Sequence, residues 1–282
     1  MPRNAITRFF LLALPLLATG GCADLAREQI YKANPAPINV AQWTRAAPAD
    51  LSVTTEDGLV LKGYVWPGAA DDRDILIFFH GRGSHQGVGA RYAEYLTGRG
   101  DHVIVASYRG FGGNPGSPSQ AGLICDGRAF VARARAMGGP DARVILVGHS
   151  LGGAVALHVA ATVPVEGVVT LSTFDRFAES APAYAAALLP DAWNNMDAAT
   201  KIHAPLVMIH GTADERVDQR QTDALLGAAR PPAMLITVAG ERHNPRMDMV
   251  APIVSEAVAA IDAGNVAHFP ASLPTGWSVR RK

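Results

Sequence analysis

Val144-Ile145-Leu146-Val147-Gly148-His149-Ser150-Leu151-Gly152 is the stretch whose reading decides the fold. Its first four residues are apolar and mostly β-branched, the composition of a strand buried on both faces. The next five form G-x-S-x-G, a strand-to-helix turn so tight that small residues must flank the serine, which it lifts above the sheet edge. Ala154-Val155-Ala156-Leu157-His158-Val159-Ala160-Ala161 then continues as a helix. That context separates a nucleophile elbow at Ser150 from a five-residue coincidence.

Outward from the elbow, the same short apolar runs recur at Ile75–Phe79, Val103–Ala106, Gly167–Leu171, Leu206–Ile209 and Leu235–Val238. Helical segments are predicted between them at about 87–98, 120–137, 151–162, 218–229 and 246–262. Ahead of them, Leu51–Thr55 and Leu59–Trp66 alternate apolar and polar residues around Asp57-Gly58, the signature of a β-hairpin. The alternation predicts an α/β domain over 51–264: a doubly wound, mostly parallel sheet with antiparallel N-terminal strands. Residues 174–204 exceed what a simple connection needs, so they form either a small helical cap or an ordinary helix with its loops. Residues 23–50 read as a Pro- and Ala-rich tether and irregular lead-in, and residues 265–282 as a loop-like tail.

A serine hydroxyl is a weak nucleophile; it needs a base for its proton and a third group to fix that base's tautomer. Behind an elbow of this kind the acid and the histidine follow the serine in that order, at the ends of late strands. Asp214 follows the run Leu206–Ile209 and His243 follows Leu235–Val238, so both fall on the rim where Ser150 stands. Asp175, after Leu171, is a rival acid; Glu215 and Asp218 read as charges at a helix start. Among the other histidines, His149 adjoins the serine but points the wrong way, and His80, His85, His102, His158, His203, His210 and His268 read as structural. The oxyanion donors are expected to be the backbone N–H groups of Leu151 and of Arg82, in the loop after Ile75–Phe79. The Arg82 guanidinium reads either as structurally paired or as a contact for an acidic substrate group. Gly81-Arg82-Gly83-Ser84-His85-Gln86-Gly87 approximates a dinucleotide loop but puts Gln86 where the third glycine belongs.

Composition bounds the rest. With 282 residues, 49% of them hydrophobic, the chain suits one large domain; its zero formal charge and the lack of basic blocks before Arg280-Arg281-Lys282 speak against a nucleic-acid partner. No zinc spacing is present, and no metal or organic cofactor is called for. Arg3 and Arg8 precede the apolar run Phe9–Ala18, which is shaped like a signal peptide. Thr19-Gly20-Gly21-Cys22 resembles a bacterial lipobox with Thr19 where an aliphatic residue is usual, so residues 1–22 are expected to end at a lipidated Cys22. Ala23-Asp24 resembles the sorting pattern for an outer-membrane anchor facing the periplasm; plain secretion and an uncleaved anchor are the alternatives. Cys125 then has no partner and reads as a small buried hydrophobe.

Across positions 51–262 the sequence resembles the α/β-hydrolase superfamily. Ser107-Tyr108-Arg109-Gly110-Phe111-Gly112-Gly113-Asn114-Pro115-Gly116-Ser117-Pro118-Ser119 and Gly122-Leu123-Ile124-Cys125-Asp126 are similar to the branch of lysophospholipase-like, depalmitoylase-like and prolyl-aminopeptidase-like hydrolases. The departures are Asn114 for a serine and Asp218 where proline is common. The resemblance implies hydrolysis of esters or thioesters on Ser150, Asp214 and His243, with Arg109–Gly112 as a turn walling the pocket. An amidase or aminopeptidase would use the same groups, and a tethered, non-catalytic binding protein would retain only the fold.

Overall fold

The computed structural model describes residues 23–36, 43–69, 73–177 and 190–282. The expected signal peptide, the lipobox with Cys22, and residues 178–189 of the expected cap segment lie outside them.

Strands β1 (Ala49–Thr54) and β2 (Val60–Trp66) form the expected hairpin, with Gly58 at φ 85° in its turn. The remaining strands are β3 (Asp74–Phe79), β4 (His102–Ala106), β5 (Arg143–His149), β6 (Gly167–Leu171), β7 (Leu206–Gly211), β8 (Ala233–Val238) and β9 (Ser278–Arg281). They form one sheet in the order β1-β2-β4-β3-β5-β6-β7-β8-β9. Pairing is parallel from β4 through β8 and antiparallel at both ends, β1-β2-β4 and β8-β9.

Helix α1 spans 23–31. After β3 come α2 (Gln86–Ala93) and a 3-10 turn (Glu94–Arg99), then α3 (Gln120–Gly138), α4 (Leu151–Ala160), α5 (Asn195–Lys201), α6 (Gln219–Ala228) and α7 (Met247–Asp262). Several start where a side chain satisfies a free amide: Ser119 accepts from Gly122, His85 from Gly87, Asn194 from Asp197, and Asp218 from Arg220.

The strands alternate their side chains between two cores. Ile75, Ile77 and Phe79 join the core under α3, α4, α5 and α6, while Leu76 and Phe78 join the one under α2 and α7. Helices therefore cover both faces, which is why the central strands read as continuous apolar runs. Leaving β3, the chain passes to β4 on one side and later returns to β5 on the other, so α2 and α4 diverge. The crevice beyond the C-terminal ends of β3 and β5 is the natural place for a ligand in such a sheet.

Two expectations from the sequence need correction. The tail is not loop throughout: β9 pairs Met234↔Arg281 through Thr237↔Ser278 and closes the sheet edge. The lead-in is not all tether, because Ile30 and Tyr31 are buried in the main core. The Tyr31 hydroxyl donates to Asp191 Oδ2 at 2.8 Å and accepts from Trp193 Nε1 at 3.1 Å. Arg27 Nε adds a 3.2 Å ion pair to the same carboxylate. Among the described residues no helix is long and apolar enough to cross a membrane.

Candidate active site

Ser150 sits at φ 54°, ψ −117°, between the end of β5 and the start of α4. A non-glycine residue held there is strained by roughly 1–3 kcal/mol. The surroundings enforce it: the Ser150 amide donates to Leu171 O at 2.8 Å, and Ser150 O accepts from the Gly153 amide at 3.0 Å. Both elbow glycines are steric necessities. A β-carbon on Gly148 would lie 2.3 Å from Gly152 O, and one on Gly152 would lie 2.0 Å from Phe79 O.

The structure brings the three expected side chains together. His243 Nε2 is 3.0 Å from Ser150 Oγ, and His243 Nδ1 is 3.0 Å from Asp214 Oδ2 and 3.1 Å from Oδ1. Asp214 Oδ1 also accepts from the amides of Arg216 and Val217, each at 2.9 Å. Burial pushes the Asp214 carboxyl up, but the hydrogen bonds from His243 and those two amides outweigh it and hold the group below its usual range. An ionised Asp214 fixes the His243 proton on Nδ1, which leaves Nε2 free to accept from the serine.

The rivals have other work. Asp175 accepts from the Arg176 amide at 2.6 Å, not from the imidazole. His210 Nδ1 is bonded to Thr222 Oγ1, His102 Nδ1 to the Gly68 amide, and His80 Nδ1 to Gly81 O. Glu215 receives the His243 amide at 3.4 Å.

Both amides expected to serve as oxyanion donors lie beside the crevice without a protein acceptor among the described residues. Ser150 N–H is committed to Leu171 O, whereas Leu151, the first residue of α4, has no intrahelical acceptor. In the loop after β3, the Gly83 amide donates to Tyr31 O and the Ser84 amide to Gly81 O. The Arg82 amide has no protein acceptor among the described residues. Its guanidinium donates to Gln29 O and lies 6.0 Å over the Phe177 ring. Helix α1 is thus fastened to the loop after β3.

One positioning residue escaped the sequence reading. His149 Nε2 donates to the backbone carbonyl of His243 at 2.8 Å, and its ring stacks on Tyr92 at 5.3 Å. Burial pushes this imidazole down to about 4, so it is neutral and keeps a single N–H to give. The carbonyl it grips lies 94 positions along the chain, beyond any local signal.

The cleft above Ser150 encloses about 230 Å³ and is walled by Phe78, Val88, Tyr92, Phe174, Phe177 and Val217, with Arg82 and Arg216 also lining it. The turn Arg109–Gly112 does not line it, contrary to expectation. Arg109 instead pairs with buried Asp126 and with Asp57, each at 2.7 Å, while Phe111 packs on His80 and Tyr108 from behind. Asn114, in the serine position, makes a two-way bond with the Lys62 backbone at 2.8 and 3.1 Å. Cys125 is not fully buried; its thiol lies 3.6 Å from Asp57 Oδ1. Among the described residues no cluster of three or more His, Cys, Asp or Glu could hold a metal ion.

Comparison with known proteins places this geometry in a lineage. Residues 70–196 match the family model described as serine aminopeptidase, S33. Uncharacterized protein Rv2307c of Mycobacterium tuberculosis is 32% identical over 225 residues, covering 77% of this chain and 80% of the relative. Alpha/beta hydrolase domain-containing protein 17B of Xenopus laevis is 29% identical over 179 residues, 60% of each chain. Among solved structures, the Pyrococcus furiosus esterase Pf2001 superposes with a TM-score of 0.65 at 19% identity, covering 83% of this chain and 100% of that one. The family model and the alpha/beta hydrolase relative, together with a sheet and elbow of this form, make the chain a member of the α/β-hydrolase superfamily.

Proposed function

We propose that the protein is a serine hydrolase that cleaves carboxylic ester or thioester bonds of a small or acyl-chain substrate. The observation that carries this reading is His243 bridging Ser150 Oγ at 3.0 Å and Asp214 at 3.0 Å across an open cleft. Ser150 Oγ attacks the carbonyl carbon while its proton passes to His243 Nε2. The carbonyl oxygen, now negative, is met by the amides of Arg82 and Leu151. Collapse of the adduct breaks the bond to the leaving alcohol or thiol, which takes the proton from His243. Water then attacks the acyl-enzyme with His243 again as base, and acid and Ser150 are released.

Ser150 is expected to react with a fluorophosphonate probe and to support hydrolysis of short-chain p-nitrophenyl esters. Ser150→Ala abolishes both while the protein stays folded; undiminished turnover in that variant discards the mechanism. The matched family model's name, serine aminopeptidase, favours a second reading as an amidase; parallel assays with aminoacyl p-nitroanilides decide between them. We further propose that Cys22 carries a lipid holding the protein to the outer membrane on its periplasmic side. Metabolic labelling with a clickable fatty acid, lost in Cys22→Ala, tests this.

A further inference from the structure

Two arginines bring positive charge to the cleft, and among the described residues no carboxylate lines it. Arg82 and Arg216 line it together with Ser150, and neither Asp nor Glu is among its described lining residues. Among the described residues Arg82 has no carboxylate within ion-pair distance; the acceptor it uses, Gln29 O, carries no net charge. Among the described residues the carboxylate within ion-pair distance of the Arg216 guanidinium is that of Glu215, whose Oε1 stands at 3.9 Å. Glu215 is shared: its other oxygen, Oε2, accepts from Arg242 Nε and the His243 amide, both at 3.4 Å. Arg216 stays largely exposed, its guanidinium available to a molecule entering the cleft. The two cations also feel one another: burial first, and then the charge of Arg216, lowers the proton affinity of Arg82. A guanidinium presents a planar fork that matches carboxylate and phosphate oxygens.

We propose that Arg82 and Arg216 form an anion-recognition subsite at the cleft rim, and that the preferred substrates carry a carboxylate or phosphate in addition to the scissile ester. This rests on the hydrolase reading above and gives it a substrate class. It also runs against a free α-amino group as the anchoring feature, since an ammonium would meet two like charges and, among the described lining residues, no carboxylate.

The test compares kcat/KM for matched esters. One arm sets p-nitrophenyl hemiglutarate, charged on the acyl side, against neutral p-nitrophenyl valerate. A second sets a butyryl ester of glycerol 3-phosphate, charged on the alcohol side, against the butyryl ester of glycerol. Each anionic-to-neutral ratio is normalised to the ratio for hydroxide-catalysed hydrolysis. The wild-type ratio is expected to exceed one in at least one arm, and that arm identifies where the charge sits. Arg216→Gln lowers the ratio about tenfold, mainly through KM, Arg216→Glu lowers it further, and Arg216→Lys recovers most of it. Arg220→Gln, an exposed arginine paired with Asp218 away from the cleft, leaves it unchanged. Raising salt erodes the wild-type preference and has little effect on Arg216→Gln. A ratio that moves less than twofold in both Arg216→Gln and Arg216→Glu, with neutral esters still turned over, overturns the subsite alone. Absence of turnover of every ester by the wild type overturns the hydrolase reading and the subsite with it.

Discussion

Acidification should destabilise this protein well above the range where carboxylates titrate, because three of its histidines are folded in their neutral form. Burial pushes His80 down to about 3 and His149 and His158 to about 4. In the unfolded chain each titrates near 6.5. The sign follows from proton uptake: below about pH 6.5 the unfolded state binds protons that the native state refuses, so stability falls as pH drops, down to the native values. From about pH 7 to pH 5 each enclosed histidine costs roughly 2 kcal/mol, with less for the more accessible His158. Asp262 opposes this. Burial, then the neighbouring Asp74, raise its carboxyl to about 6, so the native state takes that proton first and gains roughly 1 kcal/mol over the same interval. Asp126, raised by burial despite Arg109, acts in the same direction. Asp218, held down at about 2 by Arg220, loses its contribution only in stronger acid. The histidines win by on the order of 3 kcal/mol, which corresponds to a melting temperature roughly 10 °C lower at pH 5 than at pH 7. Differential scanning fluorimetry across that range is the assay, with His158→Gln expected to flatten the dependence. A melting temperature that is the same within about 2 °C at both ends would refute the reasoning.

Asp214→Asn keeps the shape of the site but lets Nδ1 of His243 lose its anionic partner, so kcat for p-nitrophenyl butyrate should fall by about 10³–10⁴ with KM little changed; a loss under tenfold removes Asp214 from its assigned role. His149→Leu strands the buried carbonyl of His243 at a cost of about 1–3 kcal/mol, and kcat should fall roughly 10- to 100-fold. His149→Asn, which restores a donor, should recover part of that loss, whereas equal rates in the two variants would make His149 mere packing. Tyr31→Phe leaves Trp193 Nε1 and Asp191 short of a partner, so the melting temperature should drop and trypsin should cut more readily near Lys32, both read against wild type.

The centre of the molecule was legible because its physics is local. Strands buried on both faces must be apolar throughout, and an elbow compressed to within 2.0 Å of Phe79 O for any added carbon must have glycine at 152. Asp214 and His243 could be found from strand ends and chain order alone. The edges were not legible. Strand β9 reads Ser-Val-Arg-Arg, a charged edge with little apolar pattern, and is fixed by its pairing with β8. Helix α1 reads as tether because its burial depends on Asp191 and Trp193, some 160 positions away. Arg109 looked like a pocket wall for a related reason: its partners Asp57 and Asp126 come from two other segments, and together they turn it inward.

The clasp between α1 and the loop after β3 has a consequence for where the chain can be cut. From residue 23 to Tyr31 the helix rises only about 12 Å, so its first residue stands within three turns of the carbonyl that holds the Gly83 amide. Shortening the chain to begin after Asn34 would unfasten Gly83 and Arg82 along with the handle. Helix α1 and the loop after β3 therefore form one braced unit, so a displacement of the helix is passed directly to that loop.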